Sequence, residues 1–396
     1  MLLLCGVISG RLFAQGNGAA NSTAPAGAAA VKFNEDPVDE DQKKNLTAIG
    51  PILVAGKFDN PQQQNDFDTF YKTYALPRWT QLDTLGDLRN YRKELVNNLY
   101  QAKSGEVHDH LSDMVLDYMS KLAKGNYHPA VRYNAMLMIG DLNAVEGYSS
   151  TPLTKTLPIL LSALNDDNQI EPVKVAALIG ILRHVSAGVN DAQIKNQIFT
   201  AMSRLAGEDD GGEAGRQWMR MQAMEILGLL GMPGNDNQVA DALSRIVANA
   251  EAPSFMRCAA AETLGKLKYA SGNGLNLVDL AKGLGQLMLK ACQEELQSVK
   301  ETNNPVSRRR LKARLDPAIE GLKGVLPLAK EPEKKYLEDL QTIFDELDRD
   351  LNKEPPKLKE DDPQKHDEEM QDYNDALKKS VQGCQTKLEA WLGKKI

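Results

Sequence analysis

Along the middle of the chain apolar residues recur three or four places apart, the interval that lines one face of a helix. Four of these blocks align on a glycine: HPAVRYNAMLMIGDL, NQIEPVKVAALIGIL, EAGRQWMRMQAMEILGLL and APSFMRCAAAETLGKL. The glycines are Gly140, Gly180, Gly228 and Gly265. Each follows Ile139, Ile179, Leu227 or Leu264 and is followed two places on by Leu142, Leu182, Leu230 or Leu267. Five places before stands a small or branched residue: Ala135, Val175, Ala223 or Ala260. The glycines lie 37 to 48 residues apart, the period of solenoids built from helical pairs.

A glycine inside a helix costs roughly 1 kcal/mol against alanine, so its recurrence at one register needs a reason. Close approach of two helix backbones supplies one, since a missing side chain at the contact lets the helices interlock. Upstream of each block lies a second amphipathic segment: VHDHLSDMVLDYMSKLA, TKTLPILLSALND, DAQIKNQIFTAMSRLAG and NDNQVADALSRIVANA. Each ends in polar or turn-forming residues before the glycine-bearing helix begins. The repeating unit is therefore a helical hairpin, present four times over residues 105–270.

These blocks resemble HEAT repeats, whose second helix commonly reads Pro, Val, Arg, then Ala, then Leu-Gly-x-Leu. HPAVRYNA with IGDL is the closest match, and VKVAALIGIL and MRCAAAETLGKL follow. The resemblance implies an all-α protein, an α-α superhelix of stacked hairpins of the HEAT or armadillo type, similar to exported bacterial proteins with such repeats. In that family an acid near the end of the first helix and a base on the second form a ladder between repeats. Arg132, Lys174, Arg220 and Arg257 hold the basic positions, with Asp167 opposite Lys174 and Asp210 opposite Arg220. Asn126 stands where the first acid is expected and Pro172 replaces the aligned base of the second repeat, so the ladder is incomplete.

Flanking segments complete the plan. Residues 46–104 read as an amino-terminal helical cap, with Leu82, Leu85, Leu88, Leu95 and Leu99 at roughly helical spacing and Trp79 packed beneath them. Residues 271–353 carry further helices without the motif. Among them Leu311, Leu315, Ala318, Ile319, Leu322, Val325 and Leu326 form an apolar stripe. A terminal cap of this kind covers the last open face of a repeat array. Residues 354–363, rich in proline and charge, read as a linker. The helix of 364–396 beyond it is expected to move independently.

The chain has 396 residues and a formal net charge of −7, which gives no general attraction for polyanions and argues against a nucleic-acid partner. Aromatics make up 6%, a balance that favours packed helices over sheet. Residues 1–15, MLLLCGVISGRLFAQ, have the apolar run of a signal peptide and a small residue, Ala14, for cleavage, but no basic start. Export to the periplasm, envelope or exterior is the expectation, a cytoplasmic protein the alternative. Residues 16–45, rich in Ala and Gly at first, read as a disordered tether. No later stretch reaches the roughly 20 apolar residues that span a bilayer. Cys5, Cys258, Cys292 and Cys384 are too dispersed for a zinc site or a dense disulfide framework, and Cys258 reads as a small buried hydrophobe.

Candidate chemistry is sparse. His108 and His110 lie beside Glu106, Asp109 and Asp113, but residues two apart on a helix diverge and do not share an ion. Exposed polarity at a helix start is the expected role. Asp348, Asp350 and Asn352 begin like a calcium loop, yet Lys353 and Lys359 stand where Gly and Glu belong. No cofactor motif is present. The sharpest charge feature is Arg308, Arg309, Arg310, Lys312 and Arg314. These bases either pair internally, for example with Asp361 and Asp362, or meet an anionic partner. Trp218 is expected in the core.

The resulting expectation is a non-enzymatic scaffold that holds a protein partner on the concave face of its second helices and loops. The alternatives are an enzyme on a helical-repeat frame, akin to bilin lyases or DNA glycosylases, and a structural spacer. The dearth of catalytic groupings argues against the first.

Overall fold

The computed structural model describes residues 31–34, 36–209, 211–270, 274–357 and 363–394. The leader, most of the tether, and Asp210, Asp361 and Asp362 lie outside the described residues.

The protein is all-α. Its described residues form fifteen α-helices and one two-stranded hairpin. Three helices come first: α1 (Leu46–Ala55), α2 (Pro61–Phe70) and α3 (Leu88–Ala102). The helix around Leu82 is shorter than its leucine spacing predicts. Pro77 and the non-helical backbone of Thr84 break the segment into tight turns, so α3 begins only at Leu88 and Leu82 is exposed. This region is instead held by rings. Phe67, Phe70, Tyr71, Tyr74 and Trp79 are buried together, and the Arg78 guanidinium lies between the rings of Tyr74 and Tyr91 at 4.5 and 4.6 Å while donating to both Glu94 oxygens at 3.0 Å.

The tether reading also fails beyond residue 30. Lys32 N–H donates to Asn126 O at 2.8 Å, Asn34 N–H to Thr80 O at 2.9 Å and Asp39 N–H to Thr73 O at 2.9 Å. These main-chain bonds fasten Lys32, Asn34 and Asp39 to the backbone at Asn126, Thr80 and Thr73, a satisfaction of backbone groups that composition does not report.

Four hairpins follow. They are α4 (Glu106–Lys124) with α5 (Pro129–Asp141), α6 (Leu157–Asn165) with α7 (Glu171–Ala187), α8 (Ala192–Gly207) with α9 (Ala214–Leu230), and α10 (Gln238–Ala248) with α11 (Ser254–Lys266). Pro129 and Pro172 stand in the first turns of α5 and α7, where a missing N–H costs nothing. Gly231 ends α9 in the left-handed region at φ 66° and donates to Leu227 O and Gly228 O, a conformation that favours glycine. Between the first two hairpins a small β-hairpin, β1 (Asn143–Val145) and β2 (Thr151–Pro152), pairs antiparallel.

After these come α12 (Leu277–Thr302), α13 (Arg308–Val325), α14 (Glu333–Leu351) and α15 (Pro363–Leu392). Neighbouring hairpins meet chiefly through their second helices: α5 packs on α7, α7 on α9, α9 on α11 and α11 on α13. The last helix is not free. Leu377, Val381, Cys384, Leu388 and Trp391 are buried where α15 packs against α12 and α14. Trp391 stacks on Tyr336 at 4.2 Å and donates from Nε1 to Tyr336 O at 3.0 Å.

Candidate functional site

The repeated glycines sit at the seam between second helices. A β-carbon on Gly140 would stand 3.0 Å from Gly180 Cα, and one on Gly180 would stand 2.9 Å from Leu160 Cδ1. Gly228 faces the Lys266 side chain, and Gly265 faces Gly324 and the backbone of Glu320 on α13. Gly321, whose β-carbon would lie 2.7 Å from Ala261 O, belongs to the same seam.

The bases of the second helices have a shared task that their spacing alone does not disclose. Arg132 donates from Nε to Ala123 O at 3.3 Å, Arg220 to Ala206 O at 3.1 Å and Arg257 to Val247 O at 2.8 Å. Each acceptor is in the last turn of the preceding first helix, where carbonyls lack intrahelical partners and carry negative partial charge. Each arginine thus ties a hairpin to itself. Arg132 and Arg257 also reach forward, to Gln169 Oε1 and to Gly283 O. In the second hairpin, where Pro172 stands at this register, Gln169 donates back to Ala123 O and Arg183 donates to Gly140 O. Lys174 lines a cleft described below.

The basic run is largely engaged inside the molecule. Arg308 donates to Leu351 O, Arg310 binds both oxygens of the buried Glu295 at 2.8 Å, Lys312 meets Asp348 and Asp316, and Arg314 meets Glu294 at 2.8 Å. Arg309 is exposed. Arg310, Lys312 and Arg314 pair with acids of α12, α13 and α14, helices that pack on one another.

His108 departs from its expected exposed role. It is fully buried on α4, with Nδ1 3.1 Å from Asp109 Oδ1 and Nε2 3.6 Å from Glu146 Oε1. The Glu146 carboxylate raises the imidazole above its ordinary value against the opposing effect of burial. Glu146 also accepts from Asn143 Nδ2 at 2.8 Å, and Arg183 binds Asn143 Oδ1. His110 points elsewhere, to Asp68 Oδ1 at 2.6 Å. The two histidines serve different packing interfaces because the helical rotation between them separates their side chains. Among the described residues no three His, Cys, Asp or Glu side chains are grouped to hold a metal ion. Trp218 is only partly buried, at the edge of the core.

An open groove of about 840 Å³ lies between the first helices α6 and α8. Its floor includes the buried Leu161 and Ala201 and its rim carries Gln193, Asn196, Gln197 and Thr200. These four positions fall three and four apart on α8, so one exposed face presents amides and a hydroxyl. That spacing was legible in DAQIKNQIFT, but nothing in the sequence marked the opposing wall. Arg204 closes one end, donating to Asn165 Oδ1 at 2.9 Å and to Glu208 Oε1 at 3.1 Å. Beyond it a smaller polar cleft of about 310 Å³ is lined by both charges, among them Asp167, Glu171, Lys174, Arg216 and Arg220. The groove is on the first-helix side, whereas the sequence pointed to the second-helix side. Amide side chains along an open groove can donate to and accept from main-chain groups of an extended polypeptide.

No protein-family model, curated protein or solved structure matches this chain.

Proposed function

We propose that this protein is a non-enzymatic scaffold, a HEAT-like α-solenoid that holds an extended segment of a protein partner in the groove between α6 and α8. The observation that carries the reading is the groove itself, with neutral hydrogen-bonding groups spaced along one wall over a buried apolar floor. Its origin is mechanical. The glycine seam draws the second helices close together, while the first helices α6 and α8 meet over a smaller contact. A stack tighter along one row than the other curves and opens clefts along its looser row. The division into a cap at 46–104, repeats at 105–270, terminal helices at 271–353, a linker and a last helix is part of this proposal. So is export, which rests on the leader sequence.

The test places a photo-crosslinking side chain at Gln197, inside the groove, or at Arg349, exposed on α14, in the native host. The reading expects one discrete adduct at position 197, mapped by mass spectrometry to a single linear segment of the partner, and none at 349. The same adducts at both positions, or none at 197, would overturn it.

A further inference from the structure

Cys292 on α12 and Cys384 on α15 are 92 residues apart in sequence, yet the packing of α15 on α12 brings them to the same helix–helix contact. Both are buried and both are free thiols. The register of the two helices accounts for the meeting. A β-carbon on Gly285 would stand 2.7 Å from Trp391 Cζ3, so these positions face each other. Seven residues on from Gly285 is Cys292, and seven back from Trp391 is Cys384. Seven residues are nearly two whole turns, with a drift of only about 20°. Two antiparallel helices facing at the first pair therefore face again at the second. Between these positions Met288 and Leu388 are both fully buried. Two cysteines facing each other across packed helices stand where a small adjustment can bring their sulfurs to bonding distance.

We propose that Cys292 and Cys384 are a redox modification site, forming an intramolecular disulfide that fastens the carboxy-terminal helix α15 to α12. The oxidant is a disulfide reagent, and the chemistry is two exchanges. One protein thiolate attacks the reagent disulfide, joining one reagent sulfur and releasing the other as a thiol. The second protein thiolate attacks the mixed disulfide and releases the remaining reagent thiol. Two protein thiols and one reagent disulfide give one protein disulfide and two reagent thiols, with the two protons and two electrons passing to the reagent. The Cys292 contact, and then burial, push the Cys384 thiol up and hold it protonated at rest, so attack requires α15 to lift, and the rate of linkage reads how often it does. Cys258, also buried and with its thiol pushed up to about 11 by burial, has no such companion and serves as the internal reference.

The experiment incubates the full-length native protein with oxidised glutathione and maps it by mass spectrometry without reduction. A parallel sample of the Cys5→Ala, Cys258→Ala double variant leaves the pair alone. The expected product in both is a single peptide pair joining Cys292 to Cys384, two mass units below the dithiol, with amide exchange in α15 slowed at least tenfold. Glutathione adducts on the two cysteines separately, thiols that stay free, or a linkage that forms only in denaturant would each overturn the proposal.

Discussion

Gly265 and Gly324 stand back to back where α11 crosses α13: a β-carbon on Gly324 would lie 2.6 Å from Gly265 Cα. The same crossing would place it 3.0 Å from Leu264 O. Gly324→Ala must therefore push two backbones apart, and overpacking of this kind destabilises by roughly 1–3 kcal/mol. Gly228→Ala meets only the flexible Lys266 side chain first, at 3.1 Å. Here the helix-propensity gain of up to about 1 kcal/mol has room to show. Urea unfolding of both variants checks the contrast; equal losses would mean that the glycines are not packing contacts.

Arg257 is 1% exposed and joins three elements, donating to Val247 O and Gly283 O at 2.8 Å each. Arg257→Met keeps the bulk and leaves both carbonyls without that donor. Each orphaned buried group costs about 1–3 kcal/mol, so for the two carbonyls a loss of roughly 2–6 kcal/mol is expected. Arg220→Met, at a partly buried position with water near, should lose less. Chemical denaturation of the two variants side by side ranks them.

The two buried histidines work in opposite directions with pH. Burial, and then Arg183, hold His184 down at about 4, with Thr156 Oγ1 at 2.9 Å from Nε2. Its depressed value means that stability is full above the unfolded pKa of about 6.5 and is lost as pH falls toward 4, by roughly 3 kcal/mol in total. His108 is raised by Glu146, so its contribution is full below about 6.5 and fades as pH rises through the folded value. His184→Gln should flatten the acid side of a melting-temperature profile, and His108→Gln the neutral-to-alkaline side. Unchanged profiles would remove both assignments.

Trp391 anchors α15 through its stack on Tyr336 and its bond to the Tyr336 carbonyl. Trp391→Ala removes a fully buried large ring, a change that costs about 3–5 kcal/mol. Because α15 packs chiefly against α12 and α14, the loss should fall on its docking rather than on the four hairpins. Hydrogen exchange should accelerate in residues 377–392 while α5, α7 and α9 stay protected. Uniform acceleration would show instead that the last helix and the repeats unfold as one unit.

Much of this architecture is written locally. The glycine register, the leucines around it and the proline at the start of α5 are all short-range features, and each reports on a helix or its boundary. A hairpin period also follows from sequence alone, because a helix with one apolar face needs a partner close by in the chain. What the same reading got wrong depends on distant neighbours. His108 looked like surface polarity because Glu146 lies 38 residues away, and α15 looked detached because prolines and charge precede it, whereas its buried Leu377, Val381, Cys384 and Leu388 lie where it packs on α12 and α14.

Residues near one another in the chain account for its helical character and for the small residues that recur at one register. What those residues meet emerges only on folding: the carbonyls that the arginines cap, the acids beside the basic run, the groove between α6 and α8, and the meeting of Cys292 with Cys384. The difference is one of range. Helix formation depends on residues three and four apart, whereas the approach of two helices depends on crossing geometry summed over the stack, which no single stretch of the chain records.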